Sequence, residues 1–397
     1  MFELEEVEAS EAEGRSTVIK VVGVGGAGGT AVEHMIREGV GGVEFICCNT
    51  DAQALKKSSA GVKLQLGPGL GAGGKPEKAR ELAIQDRGRI AEALTGAHMV
   101  FITAGMGGGT GTGAGPIVAE VARELGILTV AVVTKPFEYE GKRKRLAEEG
   151  VAELARHVDS LIIILNEKLE EVLGDEVSML EAFQAADNVL RNAVGGIAEI
   201  INVPGLVNVD FEDVRTVMGE MGKAMMGSAV ASGVDRARVA AEEAVASPLL
   251  EGIELSGARG VLVNITASNT LGLKEYKEVM KTIRQYTAPD ATVICGTVFD
   301  EDMEDRLRVT VVATGLGLTV SREGAKPAMR VVETLGLRTG TDNLQVFDAG
   351  ITQGAIDLSS VTSSARGGSP RNAQADAMAA SGVDKYDIPA FLRRQSD

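Results

Sequence analysis

The sequence contains no tryptophan, and aromatic residues make up only 3% of its 397 residues. Proteins that bind single-stranded nucleic acid stack bases on aromatic side chains, so this composition argues against that function. Basic residues are also in deficit, because 40 Lys and Arg face 56 Asp and Glu, which gives a formal net charge of −16. This charge argues against nucleic acid or an anionic membrane as a direct partner. It is compatible with one bound nucleotide.

Cysteines and long apolar runs are equally scarce. The three cysteines, Cys47, Cys48 and Cys295, lack metal-site spacing, and we interpret them as reduced thiols in the core. The acidic N-terminus, MFELEEVEASEAEGR, has no apolar segment of the signal-peptide kind. No apolar run approaches the roughly 18 residues of a membrane span. These features predict a soluble intracellular protein.

Continuously apolar strands alternate with helices through the first half of the chain, which predicts a parallel sheet covered on both faces. The predicted strands begin at Ser16 and continue at 43–51, 98–105, 127–137 and 159–166, with helices at 30–39, 115–126 and 144–158 between them.

A longer helical pattern follows at 178–203 and ends before Pro204-Gly205. At 1.5 Å per residue such a helix would be nearly 40 Å long, enough to cross one domain and join it to the next. Beyond it the pattern predicts a smaller α/β domain that ends near Gly317, with strands at 258–267, 291–300 and 307–316 and helices at 213–227, 235–247 and 273–287. Within the first of these helices, Met218, Met221 and Met225 share one helical face and are expected to fill the core.

The composition after Gly317 changes to Gly, Ser, Thr, Ala and Asn, which is typical of disorder. Apolar residues return only in DKYDIPAFLRRQSD, at 384–397. We interpret this end as a short motif that folds onto a partner; the alternative is a strand or helix that returns to the body. The predicted organisation is a flexible tail at 1–15, a nucleotide-binding domain at 16–177, a central helix at 178–203, a second domain at 204–317, a disordered linker at 318–383 and a partner-binding peptide at 384–397.

Two glycine-rich loops, GVGGAGG at 23–29 and GMGGGTGTG at 105–113, each follow a predicted parallel strand and enter a helix. The carboxyl ends of parallel strands share one edge of the sheet, where ligands bind, and helix N-termini there favour anions. The second loop adds consecutive backbone N–H groups and the hydroxyls of Thr110 and Thr112. The two loops together predict a polyphosphate site.

Two other interpretations of the glycines are weaker. The G-x-G-x-x-G at 23–28, with Asp51 after the next strand, fits a dinucleotide-dependent oxidoreductase. The three histidines, His34, His98 and His157, are in helical or core-like sequence, so we interpret them as structural. The G-x-x-x-x-G-K at 69–75 is followed by Pro76, where a phosphate loop needs Ser or Thr, and we reject it as a P-loop.

Eight short motifs occur in a fixed order along the chain: NTDAQAL, GLGAG, GMGGGTGTG, PFEYEG, NEKL, FQAADNVL, NVDFEDVRTVM and ASPLLE. Through them the chain resembles the FtsZ family, the tubulin-like GTPases of bacterial cell division, from Val18 to Gly317, and its last residues resemble the C-terminal peptide of that family. The resemblance implies a tubulin-like α/β fold, in which a parallel-sheet nucleotide-binding domain is joined by a long central helix to a smaller α/β domain. It also implies GTP as substrate and Mg²⁺ bridging its phosphates.

Carried over by position, the resemblance implies that the glycine loops wrap the phosphates, Glu140 binds the ribose, Phe183 stacks on guanine and Asp187 accepts from the N1 and N2 hydrogens of the base. The implied GTP-binding residues are Gly25, Gly26, Ala27, Gly28, Gly29, Thr30, Asp51, Gly107, Gly108, Gly109, Thr110, Gly111, Glu140, Lys144, Asn166, Phe183 and Asp187.

The motif NVDFED would supply the catalytic residues Asn208, Asp210 and Asp213, which can orient a water for attack. If the central helix is as long as predicted, these groups cannot reach the nucleotide of their own chain. The family resolves this by head-to-tail assembly, in which the loop at 205–213 of one subunit completes the site of the next and a filament results. From the residues alone, Asp210 as a helix cap and Asp213 as a solvated carboxylate is the simpler interpretation.

This sequence departs from the family pattern at five points. The segment before GLGAG is about four residues short, and Lys75 and Thr30 replace the usual asparagines. Lys144 falls where a nucleotide-binding arginine is expected, and Arg143 or Arg145 could substitute for it. Leu165 replaces a usual proline. A divergent paralogue that assembles on GTP as a scaffold with little hydrolysis is therefore the alternative to an active GTPase.

The resemblance also implies partners and a location. The main partner is a homopolymer, and the protein would be cytoplasmic, at the mid-cell division ring, with contact to the membrane only through other proteins. Membrane-tethering division proteins of the FtsA and ZipA kind, and other regulators, would bind Tyr386, Asp387, Ile388, Pro389, Phe391 and Leu392.

Overall fold

The computed structural model describes residues 17–174, 177–203, 207, 209–220, 222–247 and 257–316. Its ten described strands form one continuous sheet in the order β3-β2-β1-β4-β5-β6-β7-β10-β8-β9. Neighbouring strands from β3 to β7 are parallel. The strands are β1 Ile19–Val24, β2 Val43–Asn49, β3 Val62–Gln65, β4 Met99–Gly105, β5 Leu128–Lys135, β6 Ser160–Leu165, β7 Gly222–Ser232, β8 Gly260–Ala267, β9 Thr292–Phe299 and β10 Arg306–Leu316.

Helices cover both faces of the parallel part of the sheet. The described helices of the whole chain are α1 Gly25–Arg37, α2 Ala52–Lys57, α3 Pro76–Gln85, α4 Arg87–Leu94, α5 Thr110–Glu124, α6 Lys142–Leu154, α7 Asn166–Leu173, α8 Met179–Asn202, α9 Phe211–Met218, α10 Arg236–Val245 and α11 Leu273–Tyr286, of which α10 and α11 pack against the second half of the sheet.

Strand β1 shows why the predicted strands are apolar at almost every position. Ile19 and Val21 belong to the core cluster that includes residues of α1 and α8, whereas Val22 and Val24 belong to the cluster on the opposite face with residues of α4, α5 and α6. Both sides of the strand are therefore buried, as is typical of parallel sheets.

Helix α8 has 24 residues, so it extends for about 36 Å. It begins with a capping box, in which the Ser178 hydroxyl accepts from the Glu181 N–H and the Glu181 carboxylate accepts from the Ser178 N–H. Its buried face lies in one core cluster with Leu262 of β8 and Val312 of β10. The helix thus packs against both halves of the sheet, and its predicted length is confirmed.

The second half of the sheet is mixed. Strand β10 pairs antiparallel with β7 and β8, and β8 pairs parallel with β9. Strand β7 also pairs parallel with β6, from Ser160 opposite Gly222 to Ile162 opposite Ala224. This pairing makes one sheet of the two predicted domains.

The predicted helix over 213–227 is wrong. Helix α9 ends at Met218 and strand β7 begins at Gly222, because pairing with both β6 and β10 outweighs the helical preference of that sequence. Met218 and Met225 are buried, so their predicted place in the core is confirmed, although it does not arise from one helical face. Met221 lies outside the described residues.

The three cysteines are buried and unpaired, as predicted. Burial raises the pKa of the Cys48 thiol and that of Cys295 to about 12, which keeps both protonated. No helix in the described part of the chain is long and apolar enough to cross a membrane. The predicted N-terminal tail, the linker at 318–383 and the peptide at 384–397 all lie outside the described residues.

A buried ion pair ties α10 to α11. The Arg236 guanidinium donates to both carboxylate oxygens of Glu275, at 2.7 and 3.1 Å, and to the carbonyl of Asp305 at 2.8 Å. The hydrogen bond from Arg236 lowers the pKa of the Glu275 carboxyl. Side-chain exposure is 7% for Arg236 and 23% for Glu275, so each charge is largely shielded from water and is offset by the other.

We expect Arg236→Leu to lower the free energy of unfolding by about 3 kcal/mol, because it leaves a half-buried carboxylate without its partner. Arg238→Leu is the matched control, since Arg238 is on the same helix but forms an exposed pair with Glu242. Exposed pairs contribute little, so this variant should unfold like the wild type. Chemical denaturation of the three proteins measures the difference; equal losses in both variants would contradict the role assigned to burial.

Candidate active site

The two glycine loops meet at the carboxyl ends of adjacent strands. Strand β1 leads into the first loop and β4 into the second, and the two strands are paired along their full length. Both helices begin inside the loops, α1 at Gly25 and α5 at Thr110, five residues earlier than predicted in each case. The free N–H groups of both first turns therefore lie at one edge of the sheet.

A cleft of about 510 Å³ opens at this edge. Its volume is typical of a site for a small ligand. The described residues that line it are Val24, Gly26, Ala27, Thr30, Ala104, Gly105, Met106, Gly108, Gly109, Thr110, Gly111, Thr134, Pro136, Glu140, Arg143, Asn166, Phe183, Ala186, Asp187 and Leu190.

One end of the cleft consists of backbone and hydroxyl groups. The Thr110 hydroxyl lies 2.7 Å from that of Thr50, and the Thr30 hydroxyl donates to the carbonyl of Gly26 at 3.1 Å. A Cβ at Gly28 would come within 2.3 Å of the Thr103 carbonyl, so glycine there lets α1 pack tightly against β4. Two helix N-termini so close together form an anion-binding end.

The other end of the cleft is formed by α7 and α8. Asn166, the first residue of α7, is buried, and its side-chain oxygen has no hydrogen-bond partner among the described residues. The ring of Phe183 is 45% exposed and contacts that of Phe137 edge to face at 6.0 Å. Burial raises the pKa of the Asp187 carboxyl to about 6 although His34 and Arg37 partly oppose it. These groups present an acceptor, an aromatic face and a desolvated carboxyl to one ligand.

The side of the cleft contains one ion pair. Glu140 belongs to a 3₁₀ turn, and its carboxylate accepts from the backbone N–H of Phe137 and pairs with the Arg143 guanidinium. Lys144, one residue further along α6, pairs with Glu138 instead and is not part of the lining. The structure thus places Arg143 at the cleft in the region where the sequence suggested Lys144.

Five more of the sequence-predicted residues are not in the lining. Asp51 caps α2 by accepting from the N–H of Gln53. Gly107 is buried and donates to the Thr112 hydroxyl. Gly28 is buried in the packing of α1, whereas Gly25 and Gly29 line an adjoining cavity of about 420 Å³, which shares Gly26 and Thr30 with the cleft.

Sequence reasoning missed several lining residues. Ala186 and Leu190 share one face of α8 with Phe183 and Asp187, at the spacing of three, four and seven residues that marks a helical face. That spacing could have found them. Thr134, at the end of β5, had no signal beyond its place at the carboxyl end of a strand.

The carboxylates of α9 lie at the opposite edge of the sheet. Asp210 caps this helix by accepting from the N–H of Asp213 at 2.8 Å, and both side chains are exposed. The next residue, Phe211, packs its ring 6.1 Å from that of His98, which precedes β4. The cleft lies at the other end of β4, and seven strand residues separate the two ends by about 20 Å. Asp210 and Asp213 therefore cannot reach the cleft of their own chain. Asn208 lies outside the described residues.

Two parts of the chain match known family domains. Residues 18–174 match the GTPase domain of the Tubulin/FtsZ family, and residues 222–317 match the C-terminal domain of the FtsZ family. The chain is 54% identical to the cell division protein FtsZ of Pseudomonas aeruginosa over 402 aligned positions, which cover 96% of this chain and 98% of that one. The chain belongs to the FtsZ family.

Other FtsZ relatives agree with this assignment. FtsZ of Azotobacter vinelandii is 53% identical over 96% of this chain and 98% of its own length. A solved FtsZ dimer from M. jannaschii has a TM-score of 0.73 and 42% identity, covering 77% of this chain and 90% of that one. CetZ2 from Haloferax volcanii, at 21% identity and a TM-score of 0.65, shares the fold. The predicted fold class is confirmed as tubulin-like, and the first half of the chain is a GTPase domain of the FtsZ family.

Proposed function

We propose that this protein is a cell-division GTPase that assembles head to tail into filaments on binding GTP and hydrolyses the GTP between neighbouring subunits. One observation carries this proposal: the nucleotide cleft and the acidic end of α9 belong to the same chain but lie at opposite edges of the sheet, about 20 Å apart along β4. Two such halves can complete each other only between subunits, and a contact of this heterologous kind continues into a filament.

In the proposed complex the two first turns hold the phosphates. The N–H groups of Gly26, Ala27 and Gly108 to Gly111 face the anion-binding end, and the hydroxyl of Thr110 adds a polar contact. No lysine lines the described cleft. Phosphate binding would therefore depend on backbone donors, which a side-chain substitution cannot remove but an added Cβ can obstruct.

Guanine would bind at the α8 end. Asp187 would accept from N1 and N2 of the base, Phe183 would stack on it, and the unpaired oxygen of Asn166 would accept a further hydrogen. Guanine presents two adjacent donors to a carboxylate, whereas adenine does not. Glu140, held by Arg143 and by the Phe137 N–H, would accept from the ribose hydroxyls.

Arg143 is the cation that we propose for the nucleotide in this chain. It lines the cleft, whereas Lys144 points its ammonium to Glu138. The guanidinium of an arginine has a planar fork of N–H donors that suits phosphate or ring oxygens. The ammonium group of a lysine lacks this fork. The start of α6 would thus retain an arginine at the nucleotide.

The donor set fits a magnesium ion that enters with the nucleotide. Among the described residues no three His, Cys, Asp or Glu side chains converge into a metal cage. Mg²⁺ commonly binds to substrate phosphates and waters with few protein ligands, and the Thr110 hydroxyl is at hand in the cleft. The ion would offset phosphate charge, while the residues named above bind and orient the nucleotide.

At the other edge, we propose that Asp213 and Asp210 enter the cleft of the next subunit and polarise a water for in-line attack, together with Asn208 of the same sequence motif. Asp210 uses one carboxylate oxygen to cap α9, which fixes the turn that carries Asp213. Asp213 is exposed at the start of that helix, as a group that works on a neighbouring subunit must be.

We expect the affinity for GTP to fall below pH 6. The raised pKa of Asp187 means that its carboxyl becomes protonated as the pH falls through about 6, and only the ionised form accepts from both N1 and N2 of guanine. The dissociation constant should then rise by about tenfold per pH unit. Titrations with a fluorescent GTP analogue between pH 5 and 7.5 measure this, at protein concentrations too low for assembly.

Asp187→Asn is the control for this prediction, because it removes the titrating carboxyl but leaves His34 in place. Its affinity should be weaker and should not change around pH 6. A wild-type affinity that stays constant through that range would contradict the assignment of Asp187 to the base.

We also propose that the protein is cytoplasmic and gathers at the mid-cell division ring. Membrane-tethering proteins of the FtsA and ZipA kind would bind its C-terminal peptide, around Tyr386, Ile388 and Phe391. Removal of residues 384–397 should abolish binding to such a protein and leave GTP hydrolysis unchanged, as pull-down and phosphate-release assays would show.

The proposed function is tested by light scattering and phosphate release at rising protein concentration. A shared site predicts GTP-dependent scattering, and phosphate release that rises more than linearly with protein concentration. Release strictly proportional to protein would contradict the shared site. Scattering without release would instead support the scaffold alternative.

A further inference from the structure

A hydrogen bond joins the two helices that carry the opposite ends of the nucleotide cleft. The Nε2 atom of His34, on α1, lies 2.7 Å from the side-chain oxygen of Asn188, on α8. An amide oxygen can only accept, so His34 donates this bond. His34 is half-buried and lies outside the cleft lining, so it does not itself face the ligand.

Each partner is close to a group with a proposed role in binding. Helix α1 starts with the glycine turn at the phosphate end, and His34 lies two turns further along the same helix. Asn188 directly follows Asp187, the carboxyl proposed to accept from guanine. Core packing already joins α1 to α8, and this bond adds a directional link between them next to Asp187.

The electrostatics of Asp187 point to the same pair of helices. Burial raises its pKa, and the two groups that act against burial are His34 and Arg37, which are three residues apart on one face of α1. Asp187 is thus located between the ligand on one side and α1 on the other. A shift of α8 relative to α1 would alter both its direction and its charge environment.

We propose that His34 is a positioning residue for guanine recognition, which acts through Asn188 to aim the Asp187 carboxylate at the base. This inference rests on the proposed role of Asp187 in binding guanine. Hydrogen bonds to a base depend on direction, so a small rotation of α8 weakens the bonds to N1 and N2 while the phosphates stay bound at α1. Loss of His34 should therefore reduce selectivity for the base more than affinity for the triphosphate.

The test compares GTP with ITP, which keeps the N1 hydrogen and the triphosphate but lacks the 2-amino group. Dissociation constants for both nucleotides are measured by calorimetry on the full chain below the assembly concentration. The variants are His34→Leu, which removes the donor, and His34→Gln, which offers an amide donor at a similar reach. Asn188→Leu removes the same bond from the other side, and His157→Leu controls for the loss of a histidine that contacts Glu153 and is not in the cleft lining.

Wild type should prefer GTP to ITP, and we expect His34→Leu and Asn188→Leu each to lower that preference by about threefold to tenfold. His34→Gln and His157→Leu should keep it. Equal losses for GTP and ITP in His34→Leu, or a His34→Gln variant that behaves like His34→Leu, would overturn the positioning role. A wild type with no preference for GTP would instead overturn the role of Asp187, which distinguishes the two failures.

Discussion

Asp213→Asn should bind GTP and assemble like the wild type but release phosphate at least about 100-fold more slowly. This is the range expected for loss of a group that orients and activates a water. Asp213 is exposed, about 20 Å from the cleft of its own chain, so its replacement leaves that cleft unchanged. Asparagine has nearly the same shape, and its backbone N–H can still donate to the Asp210 cap. Binding by calorimetry and phosphate release by a coupled assay separate the two effects.

Asp235→Asn provides the control for Asp213→Asn. Asp235 is also an exposed aspartate beside a helix N-terminus, that of α10. It lies after the last residue of β7, whereas α9 precedes the first residue of that strand. This variant should hydrolyse GTP at the wild-type rate. A loss of GTP affinity in Asp213→Asn would place that carboxylate at the nucleotide of its own chain and would contradict the division of the site.

Gly108→Ala should lose about 100-fold or more in GTP affinity without loss of stability. Gly108 lines the cleft, and a Cβ at this position would meet no protein atom within 4 Å, so the fold can accept it. The methyl group would instead occupy space close to the backbone donors where the phosphates are proposed to lie. No lysine lines the cleft, and the Arg143 guanidinium is already paired with Glu140, so few side-chain contacts could replace the displaced backbone contacts.

Gly115→Ala is the matched control for Gly108→Ala. This glycine is in α5, five residues after the first residue of that helix, and a Cβ there also meets no atom within 4 Å. Alanine should raise stability slightly, as is usual inside a helix, and leave GTP affinity unchanged. If both variants bound GTP like the wild type, the phosphates would not lie against the 107–111 turn.

The sequence predicted the strands of the parallel sheet well because both of their faces are buried, which leaves continuous apolar runs such as those of β1 and β4. It missed β3, two of whose four residues are exposed, and β7, because MGKAMMGSA has no alternation and its strand conformation depends on pairing with β6 and β10. Pairing between strands distant in sequence is not visible in local composition. The helix starts were placed late for a related reason: glycine indicates a loop, yet here glycines form the first turns of α1 and α5.

The candidate site divides in the same way. The two glycine loops could be placed together from their position after parallel strands, which the structure confirms. Asn166, Phe183 and Asp187, the residues proposed to bind guanine, followed only from family resemblance. The structure brings all three to the cleft lining. The choice between Arg143 and Lys144 could not be predicted. Successive side chains on a helix point about 100° apart, and the residue at which α6 begins depends on the preceding 3₁₀ turn.

The most direct test of the shared site is a mixture of Gly108→Ala with Asp213→Asn. One variant cannot hold GTP but keeps the α9 carboxylate, and the other holds GTP but lacks that carboxylate. The account predicts that neither variant alone releases phosphate at an appreciable rate, and that the mixture recovers a substantial part of the wild-type rate at equal total protein. A mixture as inactive as its separate components, with Asp213→Asn still assembling on GTP, would contradict completion of the site by a neighbouring subunit.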